Sequence, residues 1–362
     1  MISLAVKNDD HQRRLDRVLR KAFPQIPPGA LARAVRRGAV RVNGRRCHHN
    51  SRLQEGDIIT APSWESSQEE PSPSGSPEKT RETAHEPRLQ NDQIIAGSWT
   101  IPILERTPHW IALSKPQGLS SQGPASLEGI LRDIARARGW WKESLSFRPG
   151  PVHRLDRNTT GVQLFALSTR GAQDLSQAFQ TEGGTVKLYL AVLQGRLTDP
   201  LSVDLPLCYL NEKRKAYPRG SLQDFSPKEP PRYAPARTEI IPLVGDRKST
   251  LAAVIPHTGR THQIRCHCAA AGYPLEGDRK YQPRKPAGTA SRPVGRFGSH
   301  YLLHARALII PGLSASWTAP LPPEGARNLA AAFGNLAEIL VRADGLAAKA
   351  CPPSSRSATI NP

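Results

Sequence analysis

Between Glu65 and Asp92 the chain reads ESSQEEPSPSGSPEKTRETAHEPRLQND, rich in Ser, Pro and Glu and almost free of large apolar side chains. Such a segment buries too little surface to offset an ordering cost of roughly 1–2 kcal/mol per residue. No single hydrophobic core can run through it, so the 362 residues must fold as separate units on either side. The expected division is a front unit over 1–61, a flexible linker over 62–93 and a larger unit over 94–342. A disordered tail is expected over 343–362, where CPPSSRSATINP repeats the polar, Pro- and Ser-rich character.

The front unit carries much of the charge. Residues 1–60 hold 13 Lys and Arg against 5 Asp and Glu, within a chain whose formal charge is +19. Such an excess of cation repels itself unless a polyanion lies beside it, so nucleic acid is the first partner to consider. No run approaches the roughly 20 apolar residues that cross a bilayer, and MISLAVKNDDHQRR lacks the apolar stretch of a signal peptide. A soluble, cytoplasmic protein with no membrane partner is expected. The five cysteines (Cys47, Cys208, Cys266, Cys268, Cys351) have no framework spacing and read as free thiols.

Local patterns give the front unit a shape. Leu15, Val18 and Leu19 recur at helical spacing, and Ala30, Leu31, Ala34 and Val35 do so again after Pro27-Pro28-Gly29. Gly38 ends the second helix, Ala39-Val40-Arg41-Val42 alternates like a strand, and Asn43-Gly44 signals a hairpin turn. A helix-helix-hairpin module follows. Its Arg33, Arg36, Arg37, Arg41, Arg45 and Arg46 are candidate RNA-binding residues. The competing reading is a solvated charged face; the lack of any acid between Arg17 and Arg52 favours RNA. The segments RLDRVLR, ARAVRRGAVRVNG and LQEGDII, from Arg14 to Ile59, resemble the S4-type RNA-binding domain, which implies a grip on structured RNA.

In the second unit, strand-like runs (Trp110–Leu113, Val162–Leu167, Leu188–Leu193, Leu251–Ile255) interleave with helical ones, and Ser168 caps a helix carrying Leu175, Ala178 and Phe179 on one face. There is no regular βαβ rhythm, so an α+β domain is expected. Gln282–Gly298 reads as a long basic loop. Three clusters hold chemically capable side chains. PVHRLDRNTTG places Asp156 between Arg154 and Arg157, before an apolar strand; alone, Asp156 reads as easily as a turn residue or half of a salt bridge. In KLYLAV, strand alternation puts Lys187 and Tyr189 on one face, although a lone strand tyrosine more often packs a core. HTGRTHQIRCH leads into an Ala-rich helix with His262 and Arg265 sharing a face near its start. Consecutive Cys266, His267 and Cys268 point in different directions on a helix, so no metal site is expected.

Together HRLDRNTTG, KLYLAVLQG, TGRTHQIRCH with GYPLEGDRKY, and the earlier LSKPQG resemble the RluA-type family of RNA pseudouridine synthases from about Ile103 to Leu308. The resemblance implies an α+β catalytic domain with a mixed, mainly antiparallel sheet and flanking helices. By position it implies that Asp156 is the catalytic aspartate, Tyr189 the active-site tyrosine, Arg265 the partner of the aspartate, and Arg154 the residue that helps displace the target base. Asn158-Thr159-Thr160 and the 282–298 segment depart from the family's pattern. The implied reaction is the isomerisation of a uridine in structured RNA, with large-subunit ribosomal RNA favoured by analogy and transfer RNA next. It oxidises nothing and transfers no group to a second molecule, so no cofactor is expected, and no obligate protein partner is indicated. The rival readings are a non-catalytic RNA-binding factor and a glycosidase. The first has no need of the Asp156, Tyr189 and Arg265 trio, and the second lacks an evident second catalytic acid.

Overall fold

A computed structural model describes residues 1–64, 87–123, 125–222, 230–282 and 300–351. The front unit runs β1 (Ile2–Ala5), α1 (Leu15–Ala22), α2 (Pro28–Arg36), β2 (Arg41–Val42), β3 (Arg45–Arg46) and β4 (Ile58–Ala61), with sheet order β1-β4-β2-β3. Leu15, Val18 and Leu19 of α1 and Leu31 and Val35 of α2 are buried with Val40, Leu53 and Ile59, so the helical spacing seen in sequence is the packed face. Pro28 occupies the first turn of α2, where a missing N–H costs nothing. Asn43 and Gly44 take φ of 50° and 75°, the left-handed pair that lets two residues close the β2–β3 hairpin with a matching twist.

The second unit begins with β5 (Arg88–Gln90), β6 (Gln93–Ala96), β7 (Trp99–Arg106), β8 (Trp110–Lys115), α3 (Leu127–Ala137), β9 (Gly150–Pro151), β10 (Thr160–Ala166) and α4 (Thr169–Gln180). It continues with β11 (Val186–Gln194), β12 (Leu201–Asp204), β13 (Leu207–Leu210), β14 (Lys215–Pro218), β15 (Arg237–Gly245), β16 (Ser249–Pro256) and α5 (Gln263–Ala270). The last elements are β17 (Leu303–Ile310), β18 (Ala315–Thr318), α6 (Pro323–Phe333) and α7 (Leu336–Ala350). Twelve strands form one sheet with the path β12-β15-β16-β11-β17-β10-β8-β7-β6-β5; β18 joins β17 and β9 joins β10, while β13 and β14 form a separate hairpin. β10 and β17 pair in parallel, and the other strand pairs among the described residues run antiparallel. The mixed α+β expectation holds.

Burial follows strand alternation. Leu188, Leu190 and Val192 of β11 pack with α6 and α7, whereas Ala191 and Leu193, with half-buried Tyr189, pack toward α5 on the opposite face. β10 is buried along its whole length, as suits a central strand. Gly161 permits its parallel pairing: a Cβ there would stand 2.2 Å from the Ala305 carbonyl oxygen. Ser168 caps α4 as its position suggests, its Oγ accepting from Gly171 N at 3.1 Å.

Three expectations need correction. Residues 343–350 are not a disordered tail but the last two turns of α7. Ala343 and Ala347 are buried against the sheet with Leu336, Ile339 and Leu340, and Asp344 pairs with Arg306 at 2.8 Å. Small alanines hid an apolar stripe that needs no large side chains to pack closely. The linker is shorter than 62–93, because Arg88–Gln90 and Gln93–Ala96 already pair as β5 and β6; residues 65–86 lie outside the described residues. The strand of the front hairpin starts at Arg41, not Ala39. The basic segment expected at 282–298 also lies outside them, apart from Gln282. No helix among the described residues is long and apolar enough to cross a membrane.

The two units are docked by hydrogen bonds. Asp10 is fully buried and accepts from Leu145 N at 3.0 Å, Ser146 N at 2.8 Å and Ser146 Oγ at 2.5 Å. Arg13 donates to the same serine at 3.0 Å. Asp9 accepts from the first backbone N–H of α4, Thr169 N, at 2.8 Å, where a carboxylate also meets the positive end of the helix. Leu145 packs against the front core.

Candidate active site

Two loops at the end of β8 and before β10 are fastened to each other, and the second carries Asp156. Lys115 ends β8 fully buried and donates from Nζ to the carbonyls of Pro116 (2.9 Å), Leu119 (2.8 Å) and Arg157 (3.0 Å). Burial pushes its ammonium down to about 7, with Arg157 adding to that and Asp156 opposing it. Three carbonyls that only accept are best satisfied by an ammonium that supplies a proton to each. Gly118 N donates to Arg157 O at 2.9 Å and Arg157 Nε returns a bond to Gly118 O at 2.8 Å. Leu155, immediately before the aspartate, is buried and bonded through N and O to the Ser121 hydroxyl. The Asn158-Thr159-Thr160 departure leaves this turn intact: Thr159 N closes on Asp156 O at 3.0 Å, and the Thr160 hydroxyl meets His304 Nδ1 at 2.8 Å.

The other half of the site comes from α5 and the loop that follows. Arg265 donates from Nη1 to Asp156 Oδ2 at 2.9 Å and holds Asp278 with a fork, Nε to Oδ2 at 2.6 Å and Nη2 to Oδ1 at 2.9 Å. Its guanidinium lies against the rings of Tyr301 and Tyr281, at 4.6 and 5.1 Å from their centroids. Burial alone would disfavour that charge, but the Asp278 bonds and the nearby carboxylates outweigh it and drive the arginine's pKa further up. Arg265 is therefore a permanently charged clamp set at a fixed angle. Asp278 is 1 % exposed. Among the described residues no hydrogen bond reaches Asp156 Oδ1, so one oxygen of the carboxylate is held and the other is open.

The open side is a cavity of about 530 Å³ lined by Arg154, Asp156, Lys187, Tyr189, Arg260 and His262, among others. Tyr189 projects from β11 on the face shared with Lys187, as alternation requires. Burial first, and the Asp156 charge second, push its hydroxyl well above the usual phenol range, so it meets a ligand as a neutral ring with a proton to donate. Burial depresses Lys187 as well. Arg154 is exposed at the rim. Beside the site, buried Cys266 Sγ contacts Ala216 O at 3.5 Å, and His267 bonds Thr238 and Leu205.

Asp156, Tyr189 and Arg154 thus line one cavity, and Arg265 stands behind Asp156, bonded to its carboxylate. Arg33, Arg36, Arg37, Arg41, Arg45 and Arg46 are all exposed on the front unit and do not line that cavity. Sequence reasoning assigned no role to Asp278, Tyr281, Tyr301 or Lys115. The signal for Asp278 and Tyr281 was their place in GYPLEGDRKY: an acid and an aromatic following an apolar helix that already carries a buried arginine.

Comparison with known proteins gives the family. A family model described as RNA pseudouridylate synthase matches residues 109–270, and one for the S4 domain matches residues 13–59. The chain is 30 % identical over 290 residues to the ribosomal large subunit pseudouridine synthase C of Escherichia coli K12, covering 78 % of this chain and 80 % of that protein. It is 28 % identical over 285 residues to the protein of the same name from Vibrio parahaemolyticus, covering 77 % and 80 %. Among solved structures, human RNA pseudouridylate synthase domain containing 4 superposes with a TM-score of 0.50 at 24 % identity, over 63 % of this chain and 91 % of that one. On the relatedness to the Escherichia coli enzyme along most of both chains, and on the two family models matched in order, this chain belongs to the RNA pseudouridylate synthase family and carries an S4 domain at its front.

Proposed function

We propose that this RNA pseudouridine synthase isomerises one or more uridines of large-subunit ribosomal RNA, with Asp156 as the catalytic carboxylate. The observation that carries the assignment of Asp156 is its half-held carboxylate on the wall of the cavity it shares with Tyr189: Oδ2 is bonded by Arg265 at 2.9 Å, and no hydrogen bond among the described residues reaches Oδ1. The ribosomal substrate rests on the names of the relatives and on the S4 match.

The reaction detaches uracil at nitrogen 1, turns it, and rejoins it through carbon 5, conserving atoms and electrons. A carboxylate held in a fixed place beside the sugar and the ring is what such a step needs, whichever of the two it attacks. Arg265 supplies the opposing charge and Asp278 holds Arg265 in place. Tyr189 offers a flat face for the uracil; its raised pKa keeps the hydroxyl protonated, a donor and not a general base. A uridine within a helix must first leave its stack, at a cost of a few kcal/mol, and exposed Arg154, which lines the cavity, would occupy the vacated space.

Unmodified, transcribed large-subunit ribosomal RNA incubated with the full chain should gain pseudouridine at one or a few positions, read by chemical derivatisation and sequencing. Conversion of transfer RNA alone would overturn the substrate, and conversion of neither would overturn the function. The proposed role of the front unit has a separate readout. Replacing exposed Arg33, Arg36 and Arg37 with Gln should flatten the dependence of log affinity on log salt by about 2, since a phosphate that no arginine neutralises keeps its counterions. An unchanged slope would remove these arginines from the RNA surface.

A further inference from the structure

His262 stands beside Asp156 in an orientation with a chemical consequence. It immediately precedes α5 in the left-handed region, φ 58° and ψ 19°, which costs a non-glycine residue about 1–2 kcal/mol and persists only where the surroundings impose it. The surroundings are Tyr209 and Tyr281, whose rings meet the imidazole edge-on, each at 5.7 Å. Tyr281 Oη accepts from Ala216 N at 2.8 Å and lies 2.9 Å from His262 Nδ1.

That pair of bonds selects a tautomer. If Nδ1 carried the proton, the buried Tyr281 hydroxyl would find no acceptor among the described residues, at a cost of about 1–3 kcal/mol. The hydroxyl therefore donates to Nδ1. Burial chiefly holds the imidazole neutral, with a pKa of about 4; Arg265 and Lys280 work in the same direction, and Asp156 and Asp278 oppose it. A neutral ring that accepts at Nδ1 must carry its proton on Nε2. Nε2 is 3.8 Å from Asp156 Oδ2, too far for a hydrogen bond, and His262 lines the cavity. Among the described residues, this N–H has no acceptor.

We infer that His262 is a further catalytic residue that donates a hydrogen bond from Nε2 to a carbonyl oxygen of the target uracil, with Tyr281 as the positioning residue that fixes its tautomer; this rests on the pseudouridine reading. If Asp156 attacks the sugar, the bond from carbon 1′ to nitrogen 1 breaks and its electron pair spreads onto oxygens 2 and 4 of the released uracil. If it attacks carbon 6 of the ring, the pair of the 5,6 double bond moves toward oxygen 4. Both routes load a carbonyl oxygen with negative charge that a fixed donor stabilises. A neutral donor does so without surrendering its proton, so carbon 5 stays nucleophilic for the rejoining step.

The test uses the full chain and unmodified large-subunit ribosomal RNA. His262→Leu should slow single-turnover conversion at saturation by about 100-fold, with RNA affinity changed less than about threefold. His262→Gln, which restores an N–H donor, should recover at least about tenfold of that loss, and Tyr281→Phe should slow conversion by about tenfold. A packing role would treat Leu and Gln alike, and that result overturns the inference. Nitrogen NMR of the protein without RNA tests it even if this RNA is not converted: a protonated Nδ1 on His262 overturns the inference, and a protonated Nε2 upholds it. Wild-type failure to convert any RNA would instead sink the proposed function.

Discussion

Asp156→Asn is expected to lower single-turnover conversion at saturating RNA by at least about 1,000-fold while affinity changes less than about threefold. Asparagine keeps the volume and shape of the side chain and loses only the charge and the second acceptor oxygen. The loop should hold its form, because its fastening runs through Lys115, Ser121 and the Arg157–Gly118 pair and not through the Asp156 carboxylate. Arg265 should also stay in place, gripped from behind by the Asp278 fork. Wild-type-like conversion by this variant would remove Asp156 from the chemistry. An equal loss of rate and affinity would make it an RNA-binding residue.

Arg265→Ala should do two things at once. Asp278, 1 % exposed, would be left as a buried carboxylate without its cation, which destabilises a fold by about 3–5 kcal/mol. Asp156 would lose its partner, and conversion by the protein that remains folded should fall by at least about 100-fold with little change in RNA affinity. Denaturant unfolding measures the first effect, and single-turnover rate against affinity the second. The double variant Arg265→Met with Asp278→Leu separates them, since removing both buried charges should return most of the stability and none of the rate. Recovery of rate in the double variant would show that Arg265 matters only as a structural ion pair.

Much of this site is legible in the chain because its chemistry is written in short runs. Asp156 sits in HRLDRNTTG, Tyr189 in KLYLAVLQG and Arg265 in TGRTHQIRCH, so each is named by the resemblance of its run to a family motif, whereas taken alone Asp156 reads as a turn residue and Tyr189 as core packing. Partnerships made through space were not legible. That Asp278 holds Arg265, that Tyr281 holds His262, and that Lys115 joins two loops follow from how β8, α5 and the segment after α5 converge, and no local spacing records this. The same limit explains α7: its alanines look neutral in sequence and become a packed face only once the sheet lies beneath them. Asp9 and Asp10 in KNDDHQ have no local signal of their role, because their partners, Thr169 and Ser146, lie far along the chain.

Those two aspartates bear on how a target is chosen. Because the front unit is seated on the second unit by Asp9, Asp10, Arg13 and Leu145, the span between the basic surface and the cavity is set by contact and not by how much chain separates Trp64 from Pro87. On the proposed function, the molecule would then work like a caliper with fixed jaws: a uridine would qualify by lying the right distance and direction from a second feature of the folded RNA, and the same short sequence displayed on a differently shaped RNA would go unread.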